Sequence, residues 1–595
     1  MAPDCAGSED ASAIRVHHDA RTARIEPCED HADAPPPPPL AAERALAHLV
    51  VMLLALAAAP LVWVAPPDRK LRPSAAPSGE RAALLDAGRG ECADFQIAIR
   101  APAGGLPDVS AEAGTFAPAV GARLALYREA FLHLDRPSGP DGEAGDWPDP
   151  LVPQVDAYAG ERRNAFPVSL APGELLAIWA ELCVPAGALP GERRTSVVLA
   201  SGGSAFAVLP VTLRVHRFVV PATSTLPTSF GLSLPSLLSQ HHLDDPQAQQ
   251  ALLRRYAVAA LRHRISLHAM SLEPPGATGP QLDFTAYDRE LGALLDGTAL
   301  PSGARFTSTD VRLAPGLAGD ADRLAYLRAR GWLDRAFLYA ADEPAEPDFP
   351  KIAALAKLAH AAGLRVLVTV PLQQALEGSV DVWTVNLNCL VVKKDPAEFC
   401  PLRAPFAAYA PRLAAGEKLW WYLSCSSHGC GGEIPRSARD YFRGWPDYVV
   451  DVPASRNRAM GPLAYRYAIE GELYYDTVGA YREGDPWKSI FRFGGNGDGT
   501  LFYPGTPDRI GGRTDVPVES LRLKLLRDGL QDYEELALAR RLGAGAFADS
   551  LAAEWLPDAL HVDVTPERRA ALRARLLERL DAAWKEPVVE AAPAR

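Results

Sequence analysis

The apolar run Arg335-Ala-Phe-Leu-Tyr-Ala-Ala ends in Asp342, Glu343 and Pro344. Two carboxylates side by side can share one substrate, but in an ideal strand neighbouring side chains point to opposite faces. They converge on one ligand only where the strand has ended or bulged. Pro344 cannot donate to a sheet ladder and so favours such an ending. Adjacent acids are badly placed to flank a sugar ring from two sides, as an ordinary retaining or inverting glycosidase requires. They suit a different division of labour, in which the substrate's own 2-acetamido oxygen attacks the anomeric carbon. Asp342 would then stay ionised and orient the acetamido N–H, while Glu343, with a raised pKa, would act as acid and then base. The alternative is an exposed Asp-Glu-Pro turn before a helix starting near Phe349, since acids are favoured there.

Other side chains are placed to help. Trp383, Trp420, Trp421, Tyr422, Tyr474 and Tyr475 fall on late strands of the same region, where aromatic rings offer flat apolar faces to sugars. Some of them must fill core instead; the substrate-binding candidates are Trp383, Asn386, Trp420, Trp421, Tyr422 and Tyr475. Asp381 and Asp476 are the candidates for a second carboxylate across a pocket, which a glycosidase acting on sugars without an acetamido group would need. The run FGGNGDGTLFYPG (493–505) fits neither phosphate-loop pattern, and its Asn-Gly and Asp-Gly pairs signal a tight turn. No cofactor is called for. Cys425, His428 and Cys430 have ligand types suited to zinc but irregular spacing, so disulfide or buried thiol is the preferred reading and no metal is assigned.

These residues need a scaffold. Eight candidate strands, 228–234, 264–272, 305–313, 335–343, 365–370, 381–387, 418–425 and 471–477, alternate with stretches whose apolar residues recur at three and four. The rhythm predicts a (β/α)8 TIM-type barrel over 223–545, closed by the helix SLRLKLLRDGLQDYEELALARRLG; a doubly wound sheet is the alternative. Barrel enzymes react at the C-terminal ends of their strands, where Asp342 and Glu343 fall. Residues 79–222 read instead as short alternating strands between Pro/Gly turns, a β-sandwich. The fold class is therefore multidomain, an N-terminal β-sandwich followed by the barrel, with a helical segment over 546–585 and a polar tail over 586–595.

Residues 1–44 are acidic, polar and proline-rich, and read as a disordered extension or as an upstream start. Residues 45–65 are apolar apart from His48 and read as a signal or membrane anchor, with 66–78 a linker; export follows from either reading. The protein is expected outside the cytoplasm, whether extracellular, periplasmic or membrane-anchored. Eight cysteines agree with export: with Cys5 and Cys28 set aside in the extension, Cys92, Cys183, Cys389, Cys400, Cys425 and Cys430 remain. Cys92 with Cys183, Cys389 with Cys400 and Cys425 with Cys430 are the candidate pairs. A net charge of −12, without any Lys/Arg-rich block, argues against nucleic acid as a partner.

Several segments together resemble glycoside hydrolase family 123 and the larger group bearing domain of unknown function 4091. GNGDGTLFYPG followed by PVESLRLKLLRDGLQDYEELAL is the most specific match. WPDPLVP, APGELLAIWAELCVPAGALPGERRTSVVLAS, KLWWYLSC, GELYYD, DPW and YAADEP support it over about residues 80–540. The resemblance implies a β-sandwich, a barrel and substrate-assisted hydrolysis of terminal β-linked N-acetylgalactosamine by Asp342 and Glu343, with a glycan as partner. CSSHGCGG (425–432) and the cysteine pairs depart from the family pattern. A non-catalytic surface glycan-binding protein and a glycosidase of other sugar specificity stay open.

Overall fold

The structure is a computed structural model, and it describes residues 59–270, 284–313, 320–391, 400, 402–425, 427, 441 and 443–585. Ten strands open the fold: β1 (Leu61–Ala65), β2 (Ala83–Arg89), β3 (Cys92–Arg100), β4 (Leu106–Ala113), β5 (Ala125–Leu134), β6 (Gly145–Pro153), β7 (Val168–Leu170), β8 (Leu175–Cys183), β9 (Gly191–Ser201) and β10 (Ser204–Val219). They form two layers, with Ile97, Ile178, Val197 and Leu213 among the fully buried residues between them. Eight further strands are β11 (Thr228–Gly231), β12 (Leu267–His268), β13 (Thr309–Asp310), β14 (Ala336–Asp342), β15 (Arg365–Thr369), β16 (Val382–Asn386), β17 (Lys418–Tyr422) and β18 (Glu472–Tyr474). Each lies within one of the eight predicted segments. All pair in parallel in the order β12-β11-β18-β17-β16-β15-β14-β13, a nearly closed barrel. Between the two ends, the Ala269 amide donates to the Asp310 carboxylate at 3.3 Å.

The barrel's inner layer is Phe337, Leu367, Val382, Trp420, Tyr422 and Leu473, and the opposite strand faces meet the surrounding helices. Helix formation follows local signals. Asp245 accepts from the Ala248 amide ahead of helix Pro246–Arg262, and Ser520 accepts from the Leu523 amide ahead of helix Leu521–Ala539. The alternation is incomplete: β15 and β16 are joined through a single 3₁₀ turn, Gln374–Leu376.

Three sequence boundaries are corrected. Leu61–Ala65, assigned to the apolar signal or anchor, is β1, paired antiparallel with β3 and buried from Val62 on. A strand covered on its buried side reads as continuous apolar sequence, which composition alone does not separate from a membrane segment. Residues 45–58 of that segment lie outside the described residues, among which no helix is long and apolar enough to cross a membrane. The stretch 66–78 is no free linker: Gln96 donates to the carbonyls of Pro66 (2.6 Å) and Arg69 (2.7 Å), Lys70 donates to Val450 O (2.6 Å), and Leu71 is buried. Finally, β21 (Phe502–Gly505) and β22 (Val516–Ser520), which follow the short hairpin of β19 (Phe491–Arg492) and β20 (Gly495–Asn496), leave the barrel region. They complete the first layer, whose order is β1-β3-β8-β5-β6-β22-β21; the second is β2-β10-β9-β4-β7.

Disulfides join Cys92 to Cys183, directly opposite on β3 and β8, and Cys389 to Cys400. Cys425 is also disulfide-bonded, while His428 and Cys430 lie outside the described residues.

The outer face of the seven-stranded sheet packs on helices Ala454–Arg458 and Leu521–Ala539 through Tyr127, Leu151, Trp179, Leu521 and Leu525. On β5, Glu129 is buried, with neither carboxylate oxygen hydrogen-bonded among the described residues, and burial raises its pKa to about 8. A carboxyl whose folded pKa is raised contributes least penalty when protonated. Stability is therefore full below the ordinary 4.5 and falls as pH rises toward about 8, by up to about 1.4 kcal/mol per unit. Glu129→Gln is expected to remove most of that slope and to raise the urea midpoint at pH 8. Parallel pH profiles for the variant and the wild type would sink the assignment.

Candidate active site

On β14, Phe337 and Tyr339 face the barrel interior and Leu338 faces the helices. Strict alternation would put Ala341 inside and Asp342 outside. The ladder with β15 prevents this: Tyr339 pairs with Leu367 but Ala341 pairs with Val368, so Ala340 is an extra residue. This bulge reverses the parity, and Asp342 comes to lie beside Thr369 on the inner face. Glu343 then takes a left-handed backbone (φ 44°), uncommon for a residue with a side chain, before Pro344 ends the strand. Two departures from regular geometry thus turn two neighbours to one side.

Their oxygens are held. The Tyr339 hydroxyl (2.8 Å) and the Thr369 hydroxyl (2.8 Å) both donate to Asp342 Oδ1, and Thr369 Oγ1 accepts from the Glu343 amide (2.7 Å). The Tyr422 hydroxyl donates to Glu343 Oε1 at 2.5 Å. Burial and then the Glu343 charge push the Tyr422 hydroxyl well above its usual range, so it remains a donor. Both acids stay exposed at the solvent side of the barrel mouth. Helix Phe349–Ala361 takes Asp348, not this pair, at its N-terminal boundary, so the helix-capping alternative does not describe them.

Asn386 and Tyr422, inward at the ends of β16 and β17, join the pair. Asn386 hydrogen-bonds the Tyr422 hydroxyl and donates from Nδ2 to Ser427 Oγ at 2.6 Å. Tyr475, just past the end of β18, packs on the Tyr474 ring (5.2 Å) and with the helix-side core. The other three aromatic candidates lie elsewhere. Trp383 and Trp421 are fully buried on the helix side, Trp383 donating to Glu417 Oε2 (2.7 Å) and Trp421 packing on Tyr467. Trp420 points inward near the N-terminal end, where it borders a cavity of about 750 Å³ on the face opposite the acids.

Of the two proposed second carboxylates, only Asp476 follows the C-terminal end of a strand, β18. Asp381 precedes β16 at the far end, held by His360 (2.8 Å) and the Val366 amide (2.7 Å). Asp476 caps a turn, accepting from the Thr477 (2.8 Å) and Val478 (3.0 Å) amides, with Arg492 at 3.8 Å; burial raises its pKa. Sequence reasoning missed Tyr339, Thr369, His268 and Asp310. His268 ends β12, accepts or donates at Nδ1 with Ser229 Oγ (3.0 Å), and packs on the Tyr339 ring. Burial lowers its pKa against the pull of Asp310 and Asp342, which keeps it neutral. Thr369 falls at the C-terminal end of the predicted strand 365–370, a signal that could have found it, whereas Tyr339, His268 and Asp310 lie nearer the middle of theirs.

The segments that carry the strongest resemblance have a structural role. Helix Leu521–Ala539 buries Arg522, Lys524 and Arg527, whose partners lie on the sandwich: Arg522 to Asp149 (2.8 Å), Lys524 to Glu181 (2.8 Å), and Arg527 to Asp94 (2.5 Å) and Glu181. Asp498, in the Gly-rich run, accepts from the Cys425 amide (2.8 Å) and Tyr474 (2.9 Å), fixing the chain after β17.

Comparison with known proteins accords with this arrangement. A family 123 glycoside hydrolase from Clostridium perfringens superposes with a TM-score of 0.60 at 12% identity, covering 88% of this chain and 98% of that one. A Bacteroides ovatus family 5 xyloglucanase matches 76% of the chain and 98% of its own at 10% identity, with a TM-score of only 0.25. Among curated proteins no match is found. Residues 322–539, which hold Asp342, Glu343, Asn386, Tyr422 and Tyr475, match the family model of the glycoside hydrolase 123 catalytic domain; the chain carries that catalytic domain and is a glycoside hydrolase.

Proposed function

We propose that the protein removes terminal β-linked N-acetylhexosamine, and N-acetylgalactosamine in particular, from glycans by substrate-assisted, retaining hydrolysis. The observation that carries the reading is the convergence of Asp342 and Glu343 on one side of the mouth through the Ala340 bulge and the left-handed turn. Asp342, already accepting from Tyr339 and Thr369, receives the acetamido N–H. The acetamido oxygen attacks the anomeric carbon as Glu343 gives its proton to the departing glycosidic oxygen. Water then opens the cyclic oxazolinium intermediate, losing its proton to Glu343, and the product keeps the β configuration. Glycolipid glycan hydrolysis is described for the Clostridium perfringens relative, which makes glycolipid glycans the natural first substrates to try. Export is proposed with it, from the disulfides, which persist in oxidising compartments.

The test is a panel of chromogenic β-glycosides. Turnover is expected for the N-acetyl-β-galactosaminide, with inhibition by a thiazoline analogue of the cyclised intermediate. Little turnover is expected for the β-galactoside that lacks the acetamido group. Equal rates on both sugars would overturn the mechanism while leaving a glycosidase.

A further inference from the structure

The barrel has a second opening, at the end away from Asp342 and Glu343. There Ala336, Arg365, Val382 and Lys418, the first residues of β14, β15, β16 and β17, line a cavity of about 750 Å³, with Phe337 and Trp420 of the inner layer behind them. Small-molecule sites ordinarily span about 300–1,000 Å³ and set a few polar groups among apolar ones. The space is of that size and kind.

Its charge is unbalanced. Arg335, Arg365 and Arg541 line it, and among the described residues none of the three pairs with a carboxylate; the Arg335 guanidinium donates only to the carbonyls of Leu295 and Phe306, at 2.8 Å each. The other two cations on the wall are already neutralised, Lys418 by Glu470 (2.6 Å) and Arg540 by Asp549. Asp334 is the one lining acid without an ion pair among the described residues, so three unpaired cations against one unpaired acid leave the cavity positive on a chain of net −12. Trp420 is unsatisfied too: it is 6% exposed, and its indole N–H donates to no described residue. Gly471 leaves room for the ring, since a Cβ there would lie 2.1 Å from it. Unpaired guanidiniums and an unpaired buried N–H in one cavity favour a ligand that is anionic and accepts hydrogen bonds.

We propose that this cavity binds an acidic saccharide, a glycan unit carrying sulfate or carboxylate groups, at a site separate from the hydrolytic one. The planar guanidinium forks take its anionic groups two oxygens at a time, and the Trp420 indole, with the half-buried Tyr533 on the same wall, meets its ring and hydroxyls. A glycan held at this end of the barrel is not the one being cut. It keeps the enzyme on a surface rich in acidic chains while the carboxylates work on neighbouring termini, a gain in effective concentration rather than in chemistry.

The experiment is calorimetric titration with a sulfated chondroitin tetrasaccharide, with neutral cellotetraose and free sulfate as controls. It compares wild type, the double variant Arg365→Gln with Arg541→Gln, which removes two exposed cations, and Ala537→Phe, which narrows the cavity without changing its charge. Melting temperature and turnover of a small chromogenic glycoside are expected to hold in both variants. The Kd for the tetrasaccharide is expected to rise about tenfold or more in each variant and to rise with salt in the wild type, with cellotetraose and free sulfate bound at least about tenfold more weakly. No binding of the tetrasaccharide by the wild type, or an affinity that both variants keep, overturns the site. Equal affinity for cellotetraose or for free sulfate overturns the acidic-saccharide class. Binding is read without turnover, so each of these outcomes leaves the hydrolase reading to its own test.

Discussion

Glu343→Gln is expected to lower kcat on a glycan substrate by about 10²–10⁴-fold, the usual contribution of a positioned acid–base group. The amide keeps an acceptor for Tyr422, so the site's shape is preserved and only the transferable proton is lost. The loss should be steepest for a sugar leaving group, which needs protonation, and smallest for nitrophenolate, which does not. Asp342→Asn should fail on both, because it weakens the orientation of the nucleophile rather than the exit of the leaving group. Kinetics on paired substrates, with thermal melts to confirm folding, check this. An equal loss on both leaving groups in Glu343→Gln would assign the proton to another residue.

The second large effect is on stability. Arg522 is fully buried, its guanidinium donating to both oxygens of Asp149 (2.9 and 2.8 Å) and to the carbonyls of Tyr448 (2.6 Å), Gly497 (2.8 Å) and Thr500 (2.7 Å). Replacing it with Met leaves a charge on Asp149 in the interior and three carbonyls short of a donor. Breaking a buried pair in this way costs about 3–5 kcal/mol. Arg522→Met should therefore unfold at markedly lower urea, and Arg522→Met with Asp149→Asn should recover part of the loss by removing the stranded charge. A single-variant cost below about 1 kcal/mol would mean that water reaches the pair.

The barrel was legible because βα alternation repeats and because each strand carries enough apolar residues to be counted. Asp342 and Glu343 were legible because a proline and a barrel rule agree on where the strand stops. Which face each aromatic takes was not. Trp420 and Tyr422 share one side of β17 and Trp421 the other, but nothing in KLWWY says which side is inside. That choice is made by the barrel's closure, a property of all the strands together. The extra residue at Ala340 is equally silent, since an alanine fits a regular strand as well as a bulge. The segment around β1 misled for a related reason: Val62-Trp63-Val64-Ala65 buries itself against protein, yet its composition would serve as well in lipid.

The return of β21 and β22 to the sandwich has a consequence for synthesis. The first two hundred residues emerge from the ribosome lacking the pair that closes their larger layer, so β6 presents an open edge while the whole barrel is translated. Only when Val516–Ser520 arrives is that edge paired, and the next residues carry Arg522 to Asp149 on the same strand. Folding of the earlier-made strands is thereby made contingent on a segment made after the barrel, and a chain cut short of it is left with an unsatisfied, aggregation-prone border.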